Sequence, residues 1–348
     1  MTSTFLLYAI VILYFGVTIY LANQQQLTQE HGTAVRMLHY IGVFMIFLLG
    51  LFSLMVALAD VQVDQLAEQD EMLQPLNVGL GAVIASMLLS GLGAATAYIA
   101  VASTEARQLL AQVIRQRGDY NPQSPVHTTA IVLTLLMTVS QIVLFLLSGG
   151  PEAMAESIEA EGVDPGLPVL QAVLQIAAAF LGVGYAIRRD LAQTLTRLGL
   201  RMPTPEDIRW GFGGGLILYG IAIVFSVLIS VLLPETVDQT SAAESLAAAF
   251  ATVPLALLLS ASAAVGEEIF YRGALQPVFG NVLVSMFFAV MHTQLLLSPA
   301  IVVIFIVSYF LGWLRQKHST TAAIIAHFVY NMVQLLLLIA ASSVGVEG

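Results

Sequence analysis

The chain has 348 residues, of which 58% are hydrophobic and only 10% are charged, with a net charge of −10 at pH 7. A soluble domain would carry about 25% charged residues, so the composition predicts a polytopic membrane protein. The acidic balance argues against a nucleic acid as partner. The absence of cysteine excludes disulfides, zinc–thiolate sites and a cysteine nucleophile.

Ten apolar stretches are candidates to cross a bilayer as helices. In chain order they are 4–22, 37–59, 77–102, 127–148, 167–187, 210–233, 245–266, 278–292, 298–314 and 319–341. The first has no basic segment before it and is interpreted as a retained span rather than a cleaved signal. The sequence therefore predicts an all-α bundle of about ten transmembrane helices.

The connections between these stretches alternate in charge. Segments 60–76, 149–166 and 234–244 carry acidic residues and no Lys or Arg. With ten helices, all 12 Lys and Arg residues fall on the other side, which the positive-inside rule makes cytoplasmic, with both termini outside. We expect an integral, multi-pass protein of a bacterial cytoplasmic membrane.

The predicted helices divide into two groups. Residues 1–200 form five helices with long polar loops, and the sequence indicates no role for them. Residues 205–341 form five helices with shorter connections and hold every motif described below. Between them, Arg188–Ile208 has spaced leucines and two prolines, which predicts an interfacial helix followed by a break. The oligomeric state is left open.

The first motif of the second group is Glu267-Glu268-x-x-x-Arg272. Glu268 and Arg272 are four residues apart, so they share a helix face and can pair. Glu267 lies about 100° around the helix and is less compensated, which makes it the better candidate for a general base. An ion pair at a helix end, with no catalytic role, is the alternative for this motif.

The other two motifs are Phe288-x-x-x-His292 and His327-x-x-x-Asn331, each in an apolar stretch. Polar side chains in such stretches face a cavity or one another, and they are functional-site hypotheses by default. Taken singly, each also fits polar packing. From the predicted helix ends, Glu267 and His327 lie about 8 and 12 Å deep, but His292 lies about 20 Å deep. His292 therefore matches the others only if its helix starts later or is tilted.

In these three motifs the chain resembles the CPBP family of intramembrane proteases, also called the CAAX-protease/Abi family, over about residues 205–341. The family pattern is EExxxR, FxxxH and HxxxN, in that order. The resemblance implies an intramembrane endopeptidase in which Glu267 and His292 polarise a water molecule. It implies that His327 and Asn331 stabilise the oxyanion, with Glu268, Arg272 and Phe288 in support. The active site would open to the cytoplasm.

The resemblance leaves the metal question open. Glu267, His292 and His327 can form a His₂Glu zinc set, or the glutamate and histidine can activate water unaided. We favour the second version, because His327 and Asn331 share a face as an oxyanion-binding pair would. No cofactor is therefore predicted, with zinc as the alternative.

Three functions compete on the sequence. The first is an endopeptidase acting on a membrane-associated peptide or protein within the lipid bilayer. The second is a non-proteolytic scaffold or immunity protein that retains the motifs as a polar core. The third is a proton-coupled transporter, which the absence of a matching cluster in residues 1–200 disfavours.

Overall fold

The structure, a computed structural model, describes residues 2–67, 78–114 and 118–345. Within these ranges it is helical and has no β-strand, which confirms the all-α class. The α-helices are α1 (Thr2–Thr28), α2 (Gly32–Ala67), α3 (Leu80–Ala102), α4 (Thr104–Ile114), α5 (Pro125–Leu147), α6 (Gly150–Glu161), α7 (Gly166–Val183), α8 (Leu191–Leu198), α9 (Pro205–Leu232), α10 (Ser241–Ala249), α11 (Val253–Glu267), α12 (Gln276–Val290), α13 (Ile301–Lys317) and α14 (Thr320–Gly345). A π-helix (Glu268–Leu275) and two 3₁₀ helices (Pro234–Thr240 and Thr293–Leu295) complete the described part.

Fewer helices qualify as membrane spans than the ten predicted. Among the described residues, seven are long and apolar enough: Gly32–Val63, Leu80–Ala102, Pro125–Leu147, Gly166–Val183, Pro205–Leu232, Val253–Val290 and Thr320–Ser343. The protein is therefore an integral, multi-pass membrane protein.

Four of the ten predicted stretches account for the difference of three, because two of them are counted together as one continuous helical run. Stretches 245–266 and 278–292 belong to one helical run, Val253–Val290, and 298–314 corresponds to the 17-residue helix α13. The beginning of stretch 4–22 falls within residues 1–8, whose side chains lie outside the described part. The remainder of α1 continues into a polar segment at 23–28. The acidic residues Asp64, Glu68, Asp70 and Glu71 and the bases Arg115 and Arg117 also lie outside the described side chains.

The described contacts cluster into two units. The first comprises Met1–Val113 and Asn121–Met154, and the second comprises Ile114–Tyr120 and Ala155–Gly348. Helices α7 and α8 thus belong with the C-terminal helices, although the sequence analysis placed them in residues 1–200. The functional division at about residue 200 stays a prediction.

The first unit is a bundle in which α2, α3 and α5 meet. Its buried core includes Ile46 of α2, Ala97 of α3 and Val139 of α5. Gly93 of α3 lies so close to Val139 that an added Cβ would come within 2.7 Å of the valine side chain. Small residues therefore bring these helices into contact, as expected in a membrane, where close backbone approach replaces the hydrophobic effect.

The second unit holds α7, α9, α11, α13 and α14. Helix α9 begins at a capping box formed by Thr204 and Asp207, with Pro205 at its first position. The GxxxG pair of α9 packs inside the chain: a Cβ on Gly211 would lie 2.6 Å from Ile325 and one on Gly215 2.6 Å from the Ala326 carbonyl oxygen. The two glycines therefore serve the contact between α9 and α14.

The helical run Val253–Val290 is folded back on itself at Gly280. This residue has φ 79° and ψ 165°, a combination that is essentially restricted to glycine. Phe288 lies against Arg272, with the guanidinium carbon 4.9 Å from the ring centre. These two residues are each eight positions from Gly280, so the chain reverses there and forms a helical hairpin.

A short segment before α5 packs against this reversal. The Asp119 N–H donates to the Pro277 carbonyl oxygen at 2.8 Å, and the Tyr120 ring lies 5.7 Å from the Phe279 ring. Gly118 has no room for a side chain, because an added Cβ would collide with the Val278 carbonyl oxygen. The reversal is thus held by contacts on its outer side as well as by its own backbone.

Gly280→Ala should destabilise the protein by about 1–3 kcal/mol, because alanine must adopt a backbone conformation that its Cβ opposes. Gly220→Ala is the matched control, since Gly220 lies within α9 with open space where a Cβ would project. The free energy of unfolding in detergent should fall for the first variant and stay the same or rise slightly for the second. Equal stability of the two variants would contradict the assignment of the reversal to Gly280.

Candidate active site

The helical hairpin sets the depth of two site residues. The predicted depth of Glu267 was counted from a helix end near residue 272. In the structure the helix continues past that point to Gly280. Counted from Gly280, Glu267 lies about 20 Å along one arm and His292 about 18 Å along the other. The predicted depth mismatch therefore disappears, because both arms start from the same reversal.

Glu268 and Arg272 form an ion pair, as their spacing predicts. Arg272 Nε lies 3.1 Å from Glu268 Oε2, and both side chains are 0% exposed. Arg272 Nη2 also donates to Ser308 Oγ of α13 at 3.1 Å. The pair lies in a π-helix, a form that occurs mostly as short insertions and often at functional sites.

His327 lies between the two glutamates. Its Nδ1 is 3.0 Å from Glu268 Oε1, and its Nε2 is 4.0 Å from Glu267 Oε2. Glu268 forms an ion pair with Arg272, and a carboxylate in such a pair only accepts hydrogen bonds. Nδ1 of His327 therefore carries a proton and donates to Glu268, and Nε2 is the ring nitrogen directed at Glu267.

His292 is held by its own helix. Its Nδ1 lies 2.8 Å from the Phe288 carbonyl oxygen, which can only accept, so Nδ1 carries the proton. In the neutral ring Nε2 then has a free lone pair. The buried Phe288 ring lies 4.5 Å from the His292 ring and 6.2 Å from the His327 ring, so it lies beside both imidazoles.

Glu267 is the less compensated carboxylate. It is 8% exposed, and its Oε2 is buried with no hydrogen-bond partner among the described residues. Its Oε1 lies 3.5 Å from Gln171 Nε2. A buried carboxylate oxygen without a donor requires a partner, and a water molecule meets that need.

Gln171 is a site residue that the sequence analysis missed. It lies on α7, where Gly266 allows close approach: a Cβ on Gly266 would come within 2.6 Å of the Ala172 backbone. Gln171 and Gln175 are one turn apart in an otherwise apolar helix. That spacing is the same signal that singled out His327 and Asn331.

Asn331 lies one turn after His327 on α14 and is half-buried. Its side chain forms no hydrogen bond with the part of the protein that the structure describes. The structure thus brings together Glu267, Glu268, Arg272, Phe288 and His327, with His292 beside Phe288. Asn331 is near this group only in the sense that it lies one helical turn after His327 on the same face of α14.

The described residues do not offer a set of three His, Asp or Glu side chains arranged to hold a metal ion. The anchoring of both histidines through Nδ1 resembles that of metal ligands. The metal-free version of the site stays a prediction.

Residues 249–333 match the family model described as "Type II CAAX prenyl endopeptidase Rce1-like". This match confirms the CAAX-protease resemblance. The matched segment is shorter than the predicted 205–341 and covers about a quarter of the 348 residues, but it contains all three motifs. Helix α7, which contributes Gln171, lies outside it. No curated protein and no solved structure matches the chain.

Arg272→Met should destabilise the protein by about 3–5 kcal/mol, because it leaves the Glu268 carboxylate buried without its cation. The control is Arg36→Met, which removes an exposed arginine from α2. Chemical unfolding monitored by circular dichroism should separate the two variants. Arg272→Met combined with Glu268→Gln should recover part of the loss, and no recovery would contradict the pairing as its cause.

Proposed function

We propose that the protein is an intramembrane endopeptidase that hydrolyses a peptide bond in a membrane-associated peptide or protein. The observation that carries the proposal is the unpartnered, buried Oε2 of Glu267 beside His327, in a segment that matches an endopeptidase family. A carboxylate oxygen within hydrogen-bonding reach of a bound water can act as its general base.

In this mechanism a water molecule binds between Glu267 Oε2 and the Nε2 lone pair of His292. One of these groups takes a proton as the water oxygen attacks the peptide carbonyl carbon. The same proton then passes to the departing amine nitrogen, so the base is regenerated. The products are a carboxylic acid and an amine, with one water consumed.

The oxyanion of the tetrahedral intermediate is assigned to His327 and Asn331. The hydrogen bond from Nδ1 to Glu268 implies that His327 donates to the oxyanion through Nε2, which requires the imidazolium form. Glu267 and Glu268 lie on opposite sides of the ring, 4.0 Å from Nε2 and 3.0 Å from Nδ1. Asn331 contributes a neutral carboxamide N–H, and such donors are most effective when already oriented.

Glu268 and Arg272 act as positioning residues. Neither has any exposed side-chain surface, so neither can reach a substrate directly. Arg272 fixes Glu268, and Glu268 fixes the ring of His327. We place the site toward the cytoplasmic face of a bacterial membrane, because His327 lies two turns after the start of α14. That start contacts the end of α8, where Arg315 also lies, and such bases mark the cytoplasmic side.

Glu267→Gln should lower peptide cleavage by about 10²-fold or more, because the amide keeps the shape but cannot accept a proton. Cleavage of membrane peptides by purified protein in vesicles would be compared with that of Glu161→Gln, an exposed glutamate at the end of α6. Both variants should unfold at nearly the same temperature. Full activity of Glu267→Gln would favour the scaffold or immunity function instead.

Removal of metal ions should leave cleavage unchanged, since the proposed base and oxyanion donors are protein groups. The purified protein would be dialysed against a strong chelator and assayed beside a zinc protease treated in the same way. Loss of activity that returns on adding zinc would replace the metal-free mechanism with the zinc alternative on Glu267, His292 and His327.

A further inference from the structure

Four arginines gather at the end of the second unit where α7 and α13 end. They are Arg188, Arg189, Arg197 and Arg315, called here the arginine cluster. Arg189 Nη1 donates to the Val183 carbonyl oxygen at the end of α7, and Arg197 Nη1 donates to the Gly273 carbonyl oxygen at 3.0 Å. Arg188 and Arg189 therefore lie just before α8, and Arg197 lies in its last turn.

Arg315 lies against the last turn of α8. Gly199 closes that helix with φ 70°, and a Cβ added there would lie 2.7 Å from the Arg315 guanidinium carbon. Arg315 Nε is buried and has no hydrogen-bond partner among the described residues. The residue as a whole is only half-buried, and its two terminal nitrogens are not closed off in this way, so an acceptor from outside the described protein can reach them.

The cluster has more positive charge than its surroundings offset. No carboxylate of the described part forms an ion pair with Arg189, Arg197 or Arg315. Burial and repulsion by Arg189 and Arg315 lower the pKa of Arg197 to about 10, and Asp119 only partly opposes this. The ends of α7, α8 and α13 each contribute about half a negative charge. The repulsion among these arginines is therefore only partly relieved, and a bound anion would relieve more of it.

The surroundings indicate the source of that anion. Tyr185 and Leu191 are exposed beside the cluster, and α8 is amphipathic. Exposed aromatic and aliphatic side chains next to arginines at the ends of membrane spans are typical of the headgroup region. We propose that the arginine cluster binds the phosphate group of an anionic phospholipid. The site is separate from the proposed hydrolysis and goes beyond it.

The test measures binding of short-chain phosphatidylglycerol to the full-length protein in neutral detergent by titration calorimetry. Arg315→Gln should weaken binding about fivefold or more, as expected for one lost cationic contact at a membrane surface. Lys317→Gln is the matched control, because it removes the same charge from an exposed position two residues further along α13. Its affinity should equal that of the unaltered protein.

Arg188→Gln provides a second removal of charge, outside the helices, and should also weaken binding if Arg315→Gln does not fold. Phosphatidylcholine and inorganic phosphate are the other two ligands. Equal binding of phosphatidylcholine, or equal weakening by Lys317→Gln, would overturn the site. Binding of inorganic phosphate as tightly as the lipid would overturn the lipid assignment. Glu267→Gln should bind phosphatidylglycerol as tightly as the unaltered protein. Lipid binding is therefore tested independently of the protease proposal.

Discussion

The arrangement of the candidate site depends on the buried ion pair of Glu268 and Arg272. Two charges without any exposure carry a desolvation penalty that their mutual attraction does not reliably repay, so stability alone is a weak reason for the pair. Its geometry offers a better one. Arg272 occupies one oxygen of Glu268 and is itself held by Ser308, and the other oxygen accepts from Nδ1 of His327. An apolar replacement would fill the volume but would leave the imidazole free to rotate.

Much of this site was predictable because helix periodicity is a local property. The spacing of Glu268 and Arg272 predicted their pair, and the His292 ring is held by the carbonyl of Phe288, one turn earlier. The path of the chain between the motifs was harder to predict from the sequence. The polar segment 267–272 was interpreted as the end of a span, yet its charges are compensated inside the bundle and the helix runs on to Gly280. Sequence alone does not distinguish a charge in a loop from one that is paired in the interior.

Gln171 shows a second kind of limit. The polar residues of α7 were visible in the sequence, but their relation to Glu267 depends on which helices pack together. That contact is made by Gly266 and the Ala172 backbone, and small residues allow close approach without specifying a partner. The matched family segment also begins after α7, so neither the resemblance nor the periodicity identified this neighbour of the proposed base.

Adjacent glutamates acquire different chemistry here from different neighbours. Glu268 pairs with a cation, accepts an imidazole N–H and has no exposed surface, so it is held in place as a hydrogen-bond acceptor. Glu267 has one long contact with Gln171 and an oxygen without a donor, so that oxygen remains available to a bound water molecule. His327 joins the two, because its Nδ1 donates to Glu268 and its Nε2 is directed at Glu267. The buried carboxylate that cannot reach a substrate therefore sets the orientation and tautomer of the imidazole beside the proposed base.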